Sequence, residues 1–280
     1  MREIAVEEIT RAVSEMAQEA NVGLTGDVVD RIEVCRQEET NDLAKEILGQ
    51  IRENIRIAGE ENIPLCQDTG MACIFLEIGQ EVHLVGGSLY EAVNEGVRRG
   101  YRDGFLRKSI VEDPLRRTNT GDNSPAVIHT DIVDGDHVKI LFAPKGFGSE
   151  NMSRVRMFPP SAGEAGCKDF VVETVKEAGG NPCPPIVVGV GLGASFDRVT
   201  MLAKKALLRP IGTKHEDPFY ARIEQELLER INALDIGPQG FGGRTTALAV
   251  HILAEPTHIA GLPCAVNINC HVSRHRERIL

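Results

Sequence analysis

The stretch Pro64-Leu65-Cys66-Gln67-Asp68-Thr69-Gly70 sets a thiol, a carboxamide and a carboxylate on three successive residues and closes them with Thr-Gly. A thiolate can bind a soft metal, a carboxamide can hydrogen-bond a polar ligand, and a carboxylate can hold or move a proton. Pro64 disfavours helix at Ile63, and Gly70 permits a turn that other residues avoid. The stretch therefore reads as a short rigid loop whose successive side chains point different ways. Taken alone, Cys-Gln-Asp is better read as a small buried cysteine beside a capping aspartate. The remaining residues have to decide between the two.

Seven cysteines occur, at 35, 66, 73, 167, 183, 264 and 270, with no CxxC among them. An odd count without compact pairs argues against a disulfide framework, a zinc ribbon or a ferredoxin pattern. Any metal-binding set must be gathered from distant parts of the chain. The net charge of −10 and pI near 5.4 argue against a nucleic-acid binder, which needs a basic face. An anionic small molecule stays compatible, because a few local cations can dominate one pocket. No segment approaches the ~20 apolar residues of a membrane span, and the charged N-terminus does not read as a signal peptide. A cytoplasmic protein is expected.

Several elements must position these groups. Residues 1–62 read as a helical layer, with Ile4, Val6, Ile9, Val13 and Met16 at helical spacing and Leu43, Ile47, Ile51 and Ile55 on one face of a later helix. A strand is expected at 71–78, and a Ser88-capped helix ending at Gly104 carries Arg98, Arg99 and Arg102, a run that reads as a solvated face. Arg107 follows, placed where a side chain can turn into a cleft. Asp134-Gly135-Asp136 between β-rich runs predicts a hairpin. Gly146 and Gly148 let backbone approach a ligand, although a lone GxG is more often an ordinary turn. Ser161 and Glu164 predict a capping box opening a helix whose early turns hold Cys167, where free amides favour thiolate. Gly189, Gly191 and Gly193 form GxGxG and not GxGxxG, so a tight strand-to-helix crossover or the wall of a small-molecule site is expected ahead of a dinucleotide site. Two strands around a turn carry His258, Cys264, Cys270 and His271. The fold expected is mixed α/β, α+β-like, with a helical N-terminal layer followed by mixed sheet and packed helices, in a single domain over 1–280.

Six stretches fit one family together. PLCQDTG at 64–70, NTGDNSPAVIH at 119–129, KGFGSENMSR at 145–154, EAGCKDF at 164–170, GPQGFGG at 237–243 and LPCAVNINCH at 262–271 resemble the α-subunit, or N-terminal half, of class I iron–sulfur fumarate hydratases and of the related L-tartrate dehydratases. Each motif alone is weak; the ordered set is specific.

The resemblance implies a [4Fe–4S] cluster held by Cys66, Cys167 and Cys270, with one iron left open as a Lewis acid. It makes Asp68 and His258 acid/base candidates, one of which serves only to orient the other, and Gln67, Arg107, Gly146 and Gly148 substrate contacts. Without the resemblance, His258 reads as a turn histidine after Pro256. In one-chain members of that family a C-terminal half completes the site, and here that half is expected on a separate chain. The resemblance therefore implies a β-subunit partner, an α2β2 assembly and little turnover by this chain alone. The leading expectation is reversible dehydration of (S)-malate to fumarate; the nearest alternative is L-tartrate to oxaloacetate. An iron–sulfur electron carrier or sensor and a metal-free dinucleotide module are the competing classes.

Overall fold

The computed structural model describes residues 1–280. In chain order the elements are β1 (Arg2–Ala5), α1 (Val6–Val22), α2 (Gly26–Glu38), α3 (Asp42–Glu61), β2 (Met71–Gly79), β3 (Val82–Val85), α4 (Leu89–Asp103), β4 (Val127–Val133), β5 (Val138–Lys145) and α5 (Phe147–Glu150). There follow β6 (Arg154–Phe158), α6 (Gly163–Ala178), β7 (Ile186–Ala194), α7 (Phe196–Ala206), α8 (Pro218–Asn232), β8 (Ala247–Thr257), β9 (Leu262–Asn269) and β10 (Arg276–Ile279). Parallel and antiparallel pairing both occur, and the fold is mixed α/β as expected. The chain divides into two compact units. The first holds residues 1–24, 55–147 and 274–280; the second holds 25–54 and 148–273. No helix is long and apolar enough to cross a membrane.

In the first unit, β2 is the central strand of a sheet ordered β10-β5-β2-β4. Its sequence, MACIFLEIG, is nearly all apolar and buried, which suits a strand covered on both faces. It runs parallel to β4 and antiparallel to β5. The hairpin expected around Gly135 is therefore not formed: β4 and β5 flank β2 and do not pair with each other. The Asp-Gly turn is real, but Gly79 closes on it, and a Cβ there would lie 2.4 Å from the Gly135 carbonyl oxygen. Helices α1 and α4 pack against the sheet through Ile9, Val13, Met16, Val93, Val97 and Tyr101. Gly96 and Gly100 permit their close approach, since a Cβ at either would lie within 2.8 Å of α1 atoms. Ile4 belongs to β1, which pairs with β3 ahead of the N-terminal helices. Arg98, Arg99 and Arg102 are engaged with surface carboxylates, as a solvated face would be.

In the second unit the sheet order is β6-β9-β7-β8. Central β7 is parallel to β8 and antiparallel to β9. One face, with Ile186, Val188, Val190 and Ile252, packs on α6 and α8. On the other face α7 lies so close that a Cβ on Gly189 or Gly191 would stand 2.1 Å from the carbonyl oxygens of Ala203 and Val199. Those two glycines serve helix–strand contact, in keeping with the crossover reading. Edge strand β8 is covered by α8. Glu224 accepts from the Ile252 N–H at 2.8 Å and pairs with Arg209, while Asn232 accepts from the Thr246 and Ala247 N–H groups. The expected Ser161 capping box does not form. A 3₁₀ turn covers Pro160–Ala162, α6 begins at Gly163, and Glu164 turns outward to Arg222 and Lys168.

Candidate active site

The 64–70 stretch leaves α3 and forms the expected loop, secured at its start by the Leu65 N–H donating to the Asn21 carbonyl at 2.8 Å. Cys66 is half-buried, Gln67 exposed and Asp68 half-buried; the side chains of Cys66 and Gln67 meet instead of diverging. The Cys66 thiol donates to Gln67 Oε1 at 3.3 Å, and its sulfur accepts from the Asp68 N–H at 3.4 Å. Each Asp68 carboxylate oxygen accepts one backbone N–H, Oδ1 from Gly70 and Oδ2 from Phe147, both at 3.0 Å. Gly70 has φ +81°, and a Cβ there would sit 2.8 Å from the Lys145 nitrogen. Glycine is thus required twice over, for conformation and for space.

Buried groups fasten this loop from behind. The hydroxyl of fully buried Tyr101 lies 2.8 Å from the Thr69 carbonyl and 3.0 Å from that of Gly70, and burial pushes its pKa above the ordinary phenol range. Asn123 donates to the Gly70 carbonyl at 3.2 Å and accepts from the Ser109 N–H at 2.6 Å. Arg274 donates to the Asp68 carbonyl through Nη2. The Thr69 hydroxyl donates to the Arg107 carbonyl at 3.2 Å, which ties the cationic segment to the loop. Arg107 itself is exposed. Gly146 lies directly beside Asp68, where a Cβ would stand 3.2 Å from Oδ2. The first unit therefore brings together Cys66, Gln67, Asp68, Arg107 and Gly146.

Sequence reasoning missed Tyr101, Asn123 and Arg274. Asn123 lay inside a quoted motif, and its φ of +65° marks a backbone position other residues avoid. Tyr101 on α4 and Arg274 carried no signal.

The second unit holds Gly148, Cys167, His258 and Cys270. Gly148 lies in α5, and a Cβ there would meet nothing within 4 Å. Cys167 is buried in the early turns of α6, as expected. A hydrogen bond from the Cys264 thiol holds its pKa below the usual thiol value against the opposing effect of burial; the same bond, with burial, pushes Cys264 up. Cys270 follows β9 and is half-buried. Beside it, His271 Nδ1 lies 3.0 Å from the Cys183 carbonyl and 3.2 Å from Gln239 Nε2. His258 sits in an exposed turn, its Nδ1 accepting from the Ala260 N–H at 3.2 Å and its carbonyl from the Gly261 N–H at 3.0 Å. Its Nε2 faces away from that local bond. Neither unit gathers three His, Cys, Asp or Glu side chains around one point suited to a single ion. No disulfide joins any of the seven cysteines.

Residues 10–278 match the family model described as fumarate hydratase (Fumerase). The chain is 44% identical over 272 residues to a putative L(+)-tartrate dehydratase subunit alpha from Methanocaldococcus jannaschii, covering 95% of both chains. It is 33% identical over 273 residues to the L(+)-tartrate dehydratase subunit alpha of Escherichia coli K12, covering 96% of this chain and 90% of that one. The subunit of the same name from Shigella boydii serotype 4 matches to the same extent. These are hydro-lyase proteins in class. The chain belongs to the fumarate hydratase family.

Proposed function

We propose that this chain is the α-subunit of a cytoplasmic hydro-lyase that removes water from a four-carbon 2-hydroxy dicarboxylate, using a [4Fe–4S] cluster held by Cys66, Cys167 and Cys270. The observation that carries the reading is the clamped Cys66-Gln67-Asp68 loop, with a thiol, a carboxamide and an oriented carboxylate presented from one rigid segment. The donor set fits the group. The three cysteines stand outside any disulfide and supply soft ligands, and the hydrogen bond with Cys264 lowers the Cys167 pKa. When bound, such a cluster supplies an open iron as a Lewis acid that makes hydroxide a workable leaving group.

The chain's own groups divide the remaining tasks. Asp68 has both oxygens fixed by backbone N–H groups, so the carboxylate cannot rotate, and each oxygen keeps a lone pair for a proton. Gln67 is exposed beside it and offers a carboxamide to a substrate hydroxyl or carboxylate. Arg107 supplies a planar two-pronged donor for a carboxylate. Gly146 and Gly148 offer backbone N–H groups without side chains in the way. His258 is the second acid/base group, through Nε2. The relatives' names as alpha subunits support a β-subunit partner; in this reading that partner completes the site in an α2β2 assembly.

Two substrates fit this chemistry. The family model's description supports (S)-malate and fumarate, while the relatives' names favour L-tartrate. Tartrate differs from malate by one hydroxyl, so a site that hydrogen-bonds that hydroxyl should reject malate strongly. The deciding experiment is anaerobic copurification with any bound subunit, followed by assay on (S)-malate, fumarate and L-tartrate. Release of fumarate from malate at the higher kcat/KM supports the first substrate, and release of oxaloacetate from tartrate the second. An iron-loaded complex that dehydrates neither would overturn the hydro-lyase reading.

A further inference from the structure

Arg274 reaches the back of the 64–70 loop. It is 3% exposed. Its Nη2 donates to the Asp68 carbonyl oxygen, and its Nε donates to the Pro144 carbonyl at 3.4 Å. Its Nη1 is buried with no hydrogen-bond partner, and Arg274 makes no salt bridge. A buried guanidinium without a counter-ion is costly, and the fold does not keep one for packing alone. The two carbonyls it bridges are informative. Asp68 lies between Cys66 and Gly70, and Pro144 lies two residues before Gly146 in the strand whose continuation donates a backbone N–H to Asp68 Oδ2. One planar fork therefore fixes the two backbone segments that hold the Asp68 carboxylate. Tyr101 and Asn123 grip the far end of the loop at Thr69 and Gly70. Arg274 grips it at the Asp68 backbone carbonyl, next to Gln67 and two residues from Cys66.

We propose that Arg274 is a positioning residue. It sets the backbone of the Cys66-Gln67-Asp68 segment, and its unneutralised charge biases that segment toward an anionic occupant. This rests on the reading of the loop as the reactive segment, but its core claim concerns the loop's order and can be tested without activity.

The test uses the full 280-residue chain without iron. Iodoacetamide labelling is followed by mass spectrometry at Cys66, at Cys73 in the buried centre of β2, and at exposed Cys183. In Arg274→Gln, labelling at Cys66 should rise at least several-fold, with Cys73 protected and Cys183 unchanged. Arg274→Lys keeps the charge but loses the fork; Cys66 should again be freed, by a smaller factor. If Cys66 and Cys73 become reactive together in both variants, Arg274 is merely structural and the proposal fails. It also fails if Cys66 labels at the wild-type rate. Binding of iron is measured in parallel on the wild-type chain. Local release of Cys66 in a chain that takes up no iron would leave the anchor standing and remove the hydro-lyase reading instead. In the assembled enzyme, Arg274→Lys should lower kcat more than it raises KM, because misplacing Asp68 affects the reacting step more than substrate capture.

Discussion

The N–H of Phe147 donates to Oδ2 of Asp68 at 3.0 Å, joining two loops that are 79 residues apart in the chain. With the Gly70 N–H on Oδ1, the carboxylate closes its own loop and the start of α5 in one step. Asp68→Ala should therefore cost stability as well as activity. The N–H groups of buried Gly70 and exposed Phe147 lose their acceptor, and leaving the Gly70 group unsatisfied puts the loss at about 1–3 kcal/mol in urea denaturation. Asp68→Asn keeps one acceptor oxygen and should cost less than half of that. Both variants should lower kcat by about 10²–10⁴ if Asp68 transfers a proton. An Asn variant with normal turnover would assign the proton elsewhere.

Tyr101→Phe separates the frame from the chemistry. The hydroxyl is wholly buried and serves the Thr69 and Gly70 carbonyls. Removing it leaves both carbonyls without that donor, at a cost of about 1–3 kcal/mol. Tyr101 touches no proposed ligand, so any fall in activity should track loop disorder. Calorimetry beside steady-state kinetics checks this; unchanged stability would mean that water replaces the hydroxyl.

The glycine motifs predict three different outcomes from one substitution. Gly189→Ala or Gly191→Ala drives a methyl into an α7 carbonyl and should destabilise by about 3 kcal/mol or more. Gly148→Ala meets open space and should change stability by no more than about 0.5 kcal/mol. Gly146→Ala presses on Asp68 Oδ2 and should affect kinetics ahead of stability. Thermal melts rank the set, and an inverted order would refute the packing roles.

The elements were more legible in the sequence than their neighbours. Helical spacing located α1, α3 and α4, and the apolar run at 71–78 located β2, because periodicity is a local property. The hairpin at Gly135 failed because the turn is local whereas pairing is not: β2, far upstream, inserts between the two strands. The Ser161 box failed because Glu164 finds stronger partners in Arg222 and Lys168 than a backbone N–H. In the candidate site, the loop at 64–70 was readable from Pro64 and Gly70, whereas the chemical reading of Cys66, Gln67 and Asp68 came from the ordered set of motifs and not from type and adjacency. Tyr101 and Arg274 were not readable, since a buried residue that serves a distant carbonyl carries no mark in its own neighbourhood.

Glu164 predicts an acid-sensitive joint between α6 and α8. Arg222, then Lys168, hold its carboxyl at about 2, below the ordinary 4.5. A depressed carboxyl stabilises the fold fully above its unfolded value and loses that contribution as pH falls through the folded one. Stability should therefore fall between about pH 4.5 and about pH 2, and Glu164→Gln should flatten that part of the curve. The group is partly exposed, so salt should weaken the effect. Urea midpoints across the window, for both proteins, decide the matter; parallel curves would rule Glu164 out.

Iron binding should sort the seven cysteines. Cys66→Ser, Cys167→Ser and Cys270→Ser should each lose most of the iron taken up in anaerobic reconstitution, where the wild-type chain should hold on the order of four irons. Cys35→Ser and Cys183→Ser should bind as the wild type does. Cys264→Ser is the informative intermediate. It keeps a hydroxyl donor toward the Cys167 sulfur, so it should retain iron, whereas Cys264→Ala removes that donor and should bind less tightly. Iron per chain and the visible absorption band measure all of these. Loss of iron in Cys183→Ser with retention in Cys270→Ser would assign the third ligand to the wrong thiol. The three-cysteine set would then fall even though the loop around Cys66 kept its geometry.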